Sequence, residues 1–184
     1  YNIYDGNNGY VGIKKISDDG NISSEYRDGT DFITGQGFSF IQTINKDFVI
    51  TGTDKRNSGK VFLKRVNTDF EDVWTQTYDF LGFGEGYSVK QTDDLGFIIT
   101  GHSIDTDHKI FLIKTDSNGN VEWYKTYTSG NETQGYDVSI SYDFKNNNKI
   151  HDGYVIVGYR MSNMIILKTD PNGEISGKGK DFKK

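Results

Sequence analysis

A period of 49 residues governs this chain. Gly37-Phe38, Gly86-Tyr87 and Gly135-Tyr136 follow one another at that spacing (86−37 and 135−86), and Trp74 and Trp123 keep it too. Self-similarity at a fixed period of this length marks one supersecondary unit copied along the chain, each copy burying its apolar surface against its neighbours. Any fold proposed here must therefore be an array.

The unit resolves into four short apolar runs. Behind each glycine-aromatic pair lies an alternating run, Ser39–Thr43, Ser88–Thr92 and Asp137–Ser141. After a turn come Phe48-Val49-Ile50-Thr51-Gly52, Phe97-Ile98-Ile99-Thr100-Gly101 and Tyr154-Val155-Ile156-Val157-Gly158, each closed by a glycine expected to relieve crowding. The third runs are Val61–Lys64, Ile110–Lys114 and Met164–Lys168. Asp116-Ser117-Asn118-Gly119 and Asp170-Pro171-Asn172-Gly173 follow two of them, and Asn-Gly between apolar runs is a strong hairpin signal. Trp74–Tyr78 and Trp123–Tyr127 form the fourth runs. Nothing of length repeats at helical spacing.

Four meandering strands per unit of about 40 to 50 residues predict an all-β, β-propeller-like array of four-stranded antiparallel blades. The count is about four: three complete blades, near 31–82, 83–130 and 131–184, and a partial one over about 1–30, in which Tyr10–Lys15 and Asp18–Ile22 match the third run and the following turn. The whole chain reads as one domain. Such a count is compatible with a strained four-bladed ring, a piece of a longer ring, or a ring completed by two copies. The chain starts at Tyr1 rather than Met, which predicts an upstream segment.

Composition narrows the function classes. Hydrophobic residues make up 34% and aromatics 14%, which suits thin sheets with aromatic seams rather than a helical core. The net charge of −5 and the lack of a clustered basic face argue against nucleic acid. The basic tail Lys178, Lys180, Lys183 and Lys184 reads as a solvated end. There is no cysteine, hence no thiolate site and no disulfide. No apolar run reaches the roughly 18 residues of a membrane span.

Gly86–Gly101 (GYSVKQTDDLGFIITG) and Leu112–Tyr127 (LIKTDSNGNVEWYKTY) resemble a repeat of bacterial secreted and cell-surface propellers, and Gly37–Gly52 and Asn163–Ile175 match it more loosely. The resemblance implies the propeller fold and an extracellular or cell-surface setting, and no particular activity. Two stretches depart from it. Asp69-Phe70-Glu71-Asp72 stands where Asn-Gly is expected, and Ser176-Gly177-Lys178-Gly179 replaces the last tryptophan-bearing strand.

The candidate sites are modest. Asp116–Asn120 looks like the opening of a calcium loop, but its glycine falls at the fourth place rather than the sixth, so a plain turn explains it and no metal or other cofactor is expected. His102, His108 and His151 read as solvated loop residues that do not converge. Glu85 and Glu132 are placed in connections bordering a channel mouth, with Gln36 near the equivalent place in another unit. A glycosidase would need such acids about 5 Å or about 6.5–9.5 Å apart. Trp74 and Trp123 are expected to seal sheet against sheet. The loop aromatics Phe80, Phe83 and Tyr159 are the candidate contact surface, since exposed aromatic rings stack on ligands. Phe144–His151 reads as a loop inserted into one unit, with Asn146-Asn147-Asn148 as flexible filler.

The expected function is a non-catalytic binding or scaffolding module for a protein or glycan. Two alternatives stand beside it: a carbohydrate-active enzyme, glycosidase or lyase, with acids at the channel mouth, and a self-assembly module that pairs through an open blade edge.

Overall fold

The computed structural model describes residues 4–5, 8–9, 12–27, 35–55, 59–105, 107–128 and 132–175. The chain is all-β. Among these residues there is no α-helix, and none long and apolar enough to cross a membrane. Two short pairs come first: β1 (Tyr4–Asp5) with β2 (Asn8–Gly9), and β3 (Gly12–Ile16) with β4 (Ile22–Arg27). The first large sheet is the meander β5 (Gly35–Gln42), β6 (Phe48–Asp54), β7 (Lys60–Val66) and β8 (Asp72–Tyr78). The second is β9 (Phe83–Gln91), β10 (Phe97–Ile104), β11 (His108–Thr115) and β12 (Val121–Tyr127). The third is β13 (Thr133–Lys145), β14 (Asn148–Arg160) and β15 (Asn163–Thr169). All neighbours are antiparallel. The stretch 176–184, which lacks the last tryptophan run, lies outside the described residues; among the described ones an isolated bridge joins Ile175 to Thr169.

The runs that are apolar without interruption are buried on both faces. Phe97, Ile99, Phe111 and Ile113 of the second sheet meet Val49, Val61, Leu63 and Tyr78 of the first. The residues between them, Ile98, Ile110 and Leu112, meet Val138, Tyr154, Ile156 and Ile165 of the third. The period of two along a strand thus divides one sheet between two cores. Both tryptophans are half-buried seals, as expected: Trp74 packs edge-on to Phe97 at 6.0 Å, and Trp123 lies 5.9 Å from Tyr154. Each also covers a turn glycine of the next sheet. A methyl added at Gly119 would stand 2.9 Å from Trp74, and one at Gly173 would stand 2.8 Å from Trp123. Beside them, the Tyr78 hydroxyl donates to the Gly119 carbonyl (3.0 Å) and the Tyr127 hydroxyl to that of Gly173 (2.7 Å).

The divergent turn closes like its sisters. Asn67 Oδ1 accepts from the Asp69 and Glu71 N–H groups, as Asp116 Oδ1 accepts from Asn118 and Asn120. Phe70 takes the glycine's place at φ +64°, its buried ring resting 5.5 Å from Phe48. The same contacts account for Asp116 as a turn residue, its oxygens turned to its own loop.

Two expectations are corrected. Phe144–His151 is not a loop: it extends β13 and β14 as a paired ribbon, with Phe144 opposite Lys149 and Lys145 opposite Asn148. Asn146 and Asn147, at φ +52° and +63°, make a two-residue turn of the kind that matches strand twist, so they are structural rather than filler. The glycines at 52, 101 and 158 do not close their strands; they lie inside β6, β10 and β14.

Candidate functional site

Each of those glycines faces a bulge. The pairing runs Gly37 to Gly52 then Ser39 to Thr51, Gly86 to Gly101 then Ser88 to Thr100, and Gly135 to Gly158 then Asp137 to Val157. One residue is skipped each time: Phe38, Tyr87 and Tyr136. A bulge leaves its extra residue unpaired and bends the strand toward its partner. Here the partner must come so close that a methyl on Gly52, Gly101 or Gly158 would lie 1.8, 1.9 or 2.1 Å from the carbonyl oxygen of Gln36, Glu85 or Gln134. The glycine-aromatic pair of the repeat is therefore a device that expels one aromatic ring per sheet from the strand alternation.

The first strands of successive sheets are neighbours, β5 beside β9 and β9 beside β13. Ser39 Oγ accepts from the Val89 N–H (3.3 Å) and Ser88 Oγ from the Val138 N–H (3.4 Å), which fixes their spacing. Gly86 and Gly135 let them approach, since a methyl there would meet Thr51 Oγ1 at 2.4 Å or Thr100 Oγ1 at 2.8 Å. As a result the expelled rings form a ladder. Phe38 stands 5.1 Å from Tyr87, and Tyr87 5.7 Å from Tyr136. Phe38 and Tyr136 are exposed, Tyr136 to 50%.

Each tyrosine has a polar companion two residues back. The Tyr87 hydroxyl donates to the Glu85 carboxylate, and that of Tyr136 to Gln134 Oε1 at 3.0 Å. Partial burial, then the hydrogen bond to Glu85 and the charge of that carboxylate, push the Tyr87 phenol far above its usual range, so it remains a neutral donor. Beside the ladder, Asp137 accepts from the Ser88 hydroxyl and pairs with Lys90 at 3.2 Å. The result is a row of aromatic faces edged by carboxylate, amide and hydroxyl groups, the mixture that binds ligands having both apolar faces and hydroxyls.

The residues expected from sequence are distributed around this row. Glu85 belongs to it, but lies within β9, opposite His102, rather than in a connection. Glu132 does sit in the connection before β13, exposed, its carbonyl accepting from the Met161 N–H at 3.2 Å. The repeat equivalent of Glu85 is not Glu132 but Gln134, opposite Tyr159 of β14. Phe83 opens β9 against Gly59. Phe80 is elsewhere, in the short turn after β8, stacked at 4.3 Å on Tyr124 of β12.

The histidine reading is corrected in part. His102 is in β10 and buried, not solvated, and its Nε2 is 2.8 Å from His108 Nδ1 with the rings stacked at 4.9 Å. His151 is apart from them, against Tyr142 and Tyr154. Burial, then the neighbouring His108, hold His102 below its usual pKa, against the opposing pull of Glu85 and Glu132. The Phe38–Tyr87–Tyr136 row is not among the residues expected from sequence, although the 49-residue recurrence of all three positions marks it.

No family model and no curated protein matches this chain. Among solved structures, a protein of unknown function from Bacteroides caccae is similar, with a TM-score of 0.57 at 15% identity over 94% of this chain and 55% of that one. The chain therefore spans about half the length of that structure, and the likeness is one of fold.

Proposed function

We propose that these sheets are blades of a propeller-type array and that the chain is a non-catalytic binding module whose contact surface is the Phe38–Tyr87–Tyr136 ladder. Face-to-face packing of successive antiparallel meanders of four, four and three described strands supports the blade reading, as does the convergence of β5, β9 and β13 along one side. The single observation that carries the binding reading is the ladder itself. Three aromatic rings are set in a row, 5.1 and 5.7 Å apart, by bulges, outside the cores, with Glu85 and Gln134 beside them. A core has no need of a ring that each sheet must bulge to expose.

The ligand class that suits such a row is carbohydrate. Pyranose rings present C–H faces to aromatic rings and hydroxyls to carboxylate and amide edges. The resemblance to repeats of secreted and surface proteins supports an extracellular setting, where glycans are the abundant partners. Titration calorimetry against a panel of oligosaccharides tests this. Binding that Tyr136→Ala and Tyr87→Phe both weaken, while Phe80→Ala leaves it unchanged, is the expected result. A panel without heat, or binding indifferent to Tyr136→Ala, would remove the proposal.

A further inference from the structure

The ladder has one charged position, and that charge lacks a counter-ion. Each expelled ring has a companion two residues earlier in its strand: Gln36 for Phe38, Glu85 for Tyr87 and Gln134 for Tyr136. Only the central companion is an acid. Elsewhere in these sheets strand carboxylates meet lysines. Asp72 pairs with Lys64, Glu122 with Lys114, Asp137 with Lys90 and Asp152 with Lys168, all at 2.8–3.2 Å. Among the described residues no lysine or arginine pairs with Glu85, whose carboxylate has one hydrogen bond, from the neutral Tyr87 hydroxyl. Lys90, on the same strand, is taken by Asp137. Across the sheet Glu85 faces His102, and burial keeps that imidazole from supplying the missing charge. Glu132, whose charge also reaches His102, adds to the negative field.

A half-buried carboxylate loses solvation that one neutral hydroxyl repays only in part. The flanking sheets fill the same place with glutamine, so folding does not call for the charge. What the charge adds is attraction for a cation. The faces of the neighbouring rings attract the same species through their quadrupoles. An ammonium group would reach Glu85 by a charge-assisted hydrogen bond while the sugar ring that carries it lies along the aromatic row. Resting on the carbohydrate reading of the ladder, we infer that its ligand is an amino sugar: a glycan with a free, protonated amine held by Glu85, and neutral substituents beside Gln36 and Gln134.

Titration calorimetry in mildly acidic buffer, where sugar amines are protonated, tests it with three tetrasaccharides of one backbone. These are the glucosamine tetramer, the N-acetylglucosamine tetramer and cellotetraose, which differ only in carrying an ammonium, an acetamide or a hydroxyl on each ring. The glucosamine tetramer should bind at least about tenfold more tightly than the other two, and added salt should erode that advantage. Glu85→Gln keeps an acceptor for Tyr87; it should bring the three affinities together while far-ultraviolet dichroism shows the protein still folded. Glu174→Gln, which changes the net charge equally at an exposed, lysine-paired acid, should leave the preference intact. Equal affinity for all three tetramers, weakened by Tyr136→Ala, would overturn the inference and leave the ladder standing, and so would a preference that survives Glu85→Gln. Binding indifferent to Tyr136→Ala, or no heat from any tetramer, would remove the ladder reading and this inference together.

Discussion

Replacing Gly101 by alanine isolates the bulge that builds the ladder. The added methyl would stand 1.9 Å from the Glu85 carbonyl oxygen and 2.8 Å from the Phe111 ring edge. Carbon and oxygen in contact need about 3.3 Å, so β9 and β10 would have to part by over an ångström. That stretches the neighbouring ladder bonds beyond bonding range. Losing about two of them, at about 0.5–1.5 kcal/mol each, and stranding their buried partners, at about 1–3 kcal/mol in all, gives a loss of about 2–6 kcal/mol. For a chain of this size that corresponds to a fall in Tm of about 4–24 °C. The control is Gly20→Ala, at φ +84° with nothing within 4 Å of the new atom, which should cost only the left-handed backbone penalty of about 1–2 kcal/mol. Urea titration of the three proteins measures both differences. If Gly101→Ala is no worse than Gly20→Ala, the close approach is not what fixes glycine at this position and the account of the bulge fails.

Three further outcomes follow from the same structure. Trp123→Ala should cost about 2–4 kcal/mol in urea unfolding, somewhat less than for a fully buried ring, because it uncovers Tyr154 and the Gly173 turn. Leu95 is exposed at φ +67° in the β9–β10 turn, so Leu95→Gly should stabilise by up to about 1 kcal/mol, read as a rise in the urea midpoint. His102 is buried with its pKa held down, so the unfolded chain binds the proton more readily. Stability should be full above about pH 6.5, the unfolded value, and fall as pH drops below it, by at most about 1.4 kcal/mol per pH unit, and His102→Gln should flatten that slope in melts taken between pH 7 and 5.

Much of the fold was legible because its determinants are local. Asn118-Gly119 and Asn172-Gly173 announce hairpins by their own backbone preferences, and Phe97–Gly101 and Ile110–Lys114 announce doubly covered strands by unbroken apolarity. What escaped depends on pairing partners. Tyr87 looks like one more residue of an alternating run until the register shift at Thr100/Gly101 is known. Asn146-Asn147 looks like filler until Lys145 is seen to pair with Asn148. Asp69-Phe70 looked like a broken turn because Asn67, two residues earlier, makes the bonds, and the packed Phe70 ring offsets an unfavourable backbone. The His102–His108 contact joins residues six apart on facing strands, a proximity that composition cannot signal.

The second sheet, clamped between the other two, has a consequence for how the molecule comes apart. Its amides belong to a body that cannot open without disrupting two cores at once, whereas each flanking sheet has to leave only one of the described cores. Hydrogen exchange should therefore be slowest over β10 and β11 and grade outward along the sequence in both directions. Of the three large sheets, the first and third would then open before the second, and a protease would cut within them before it reached the second.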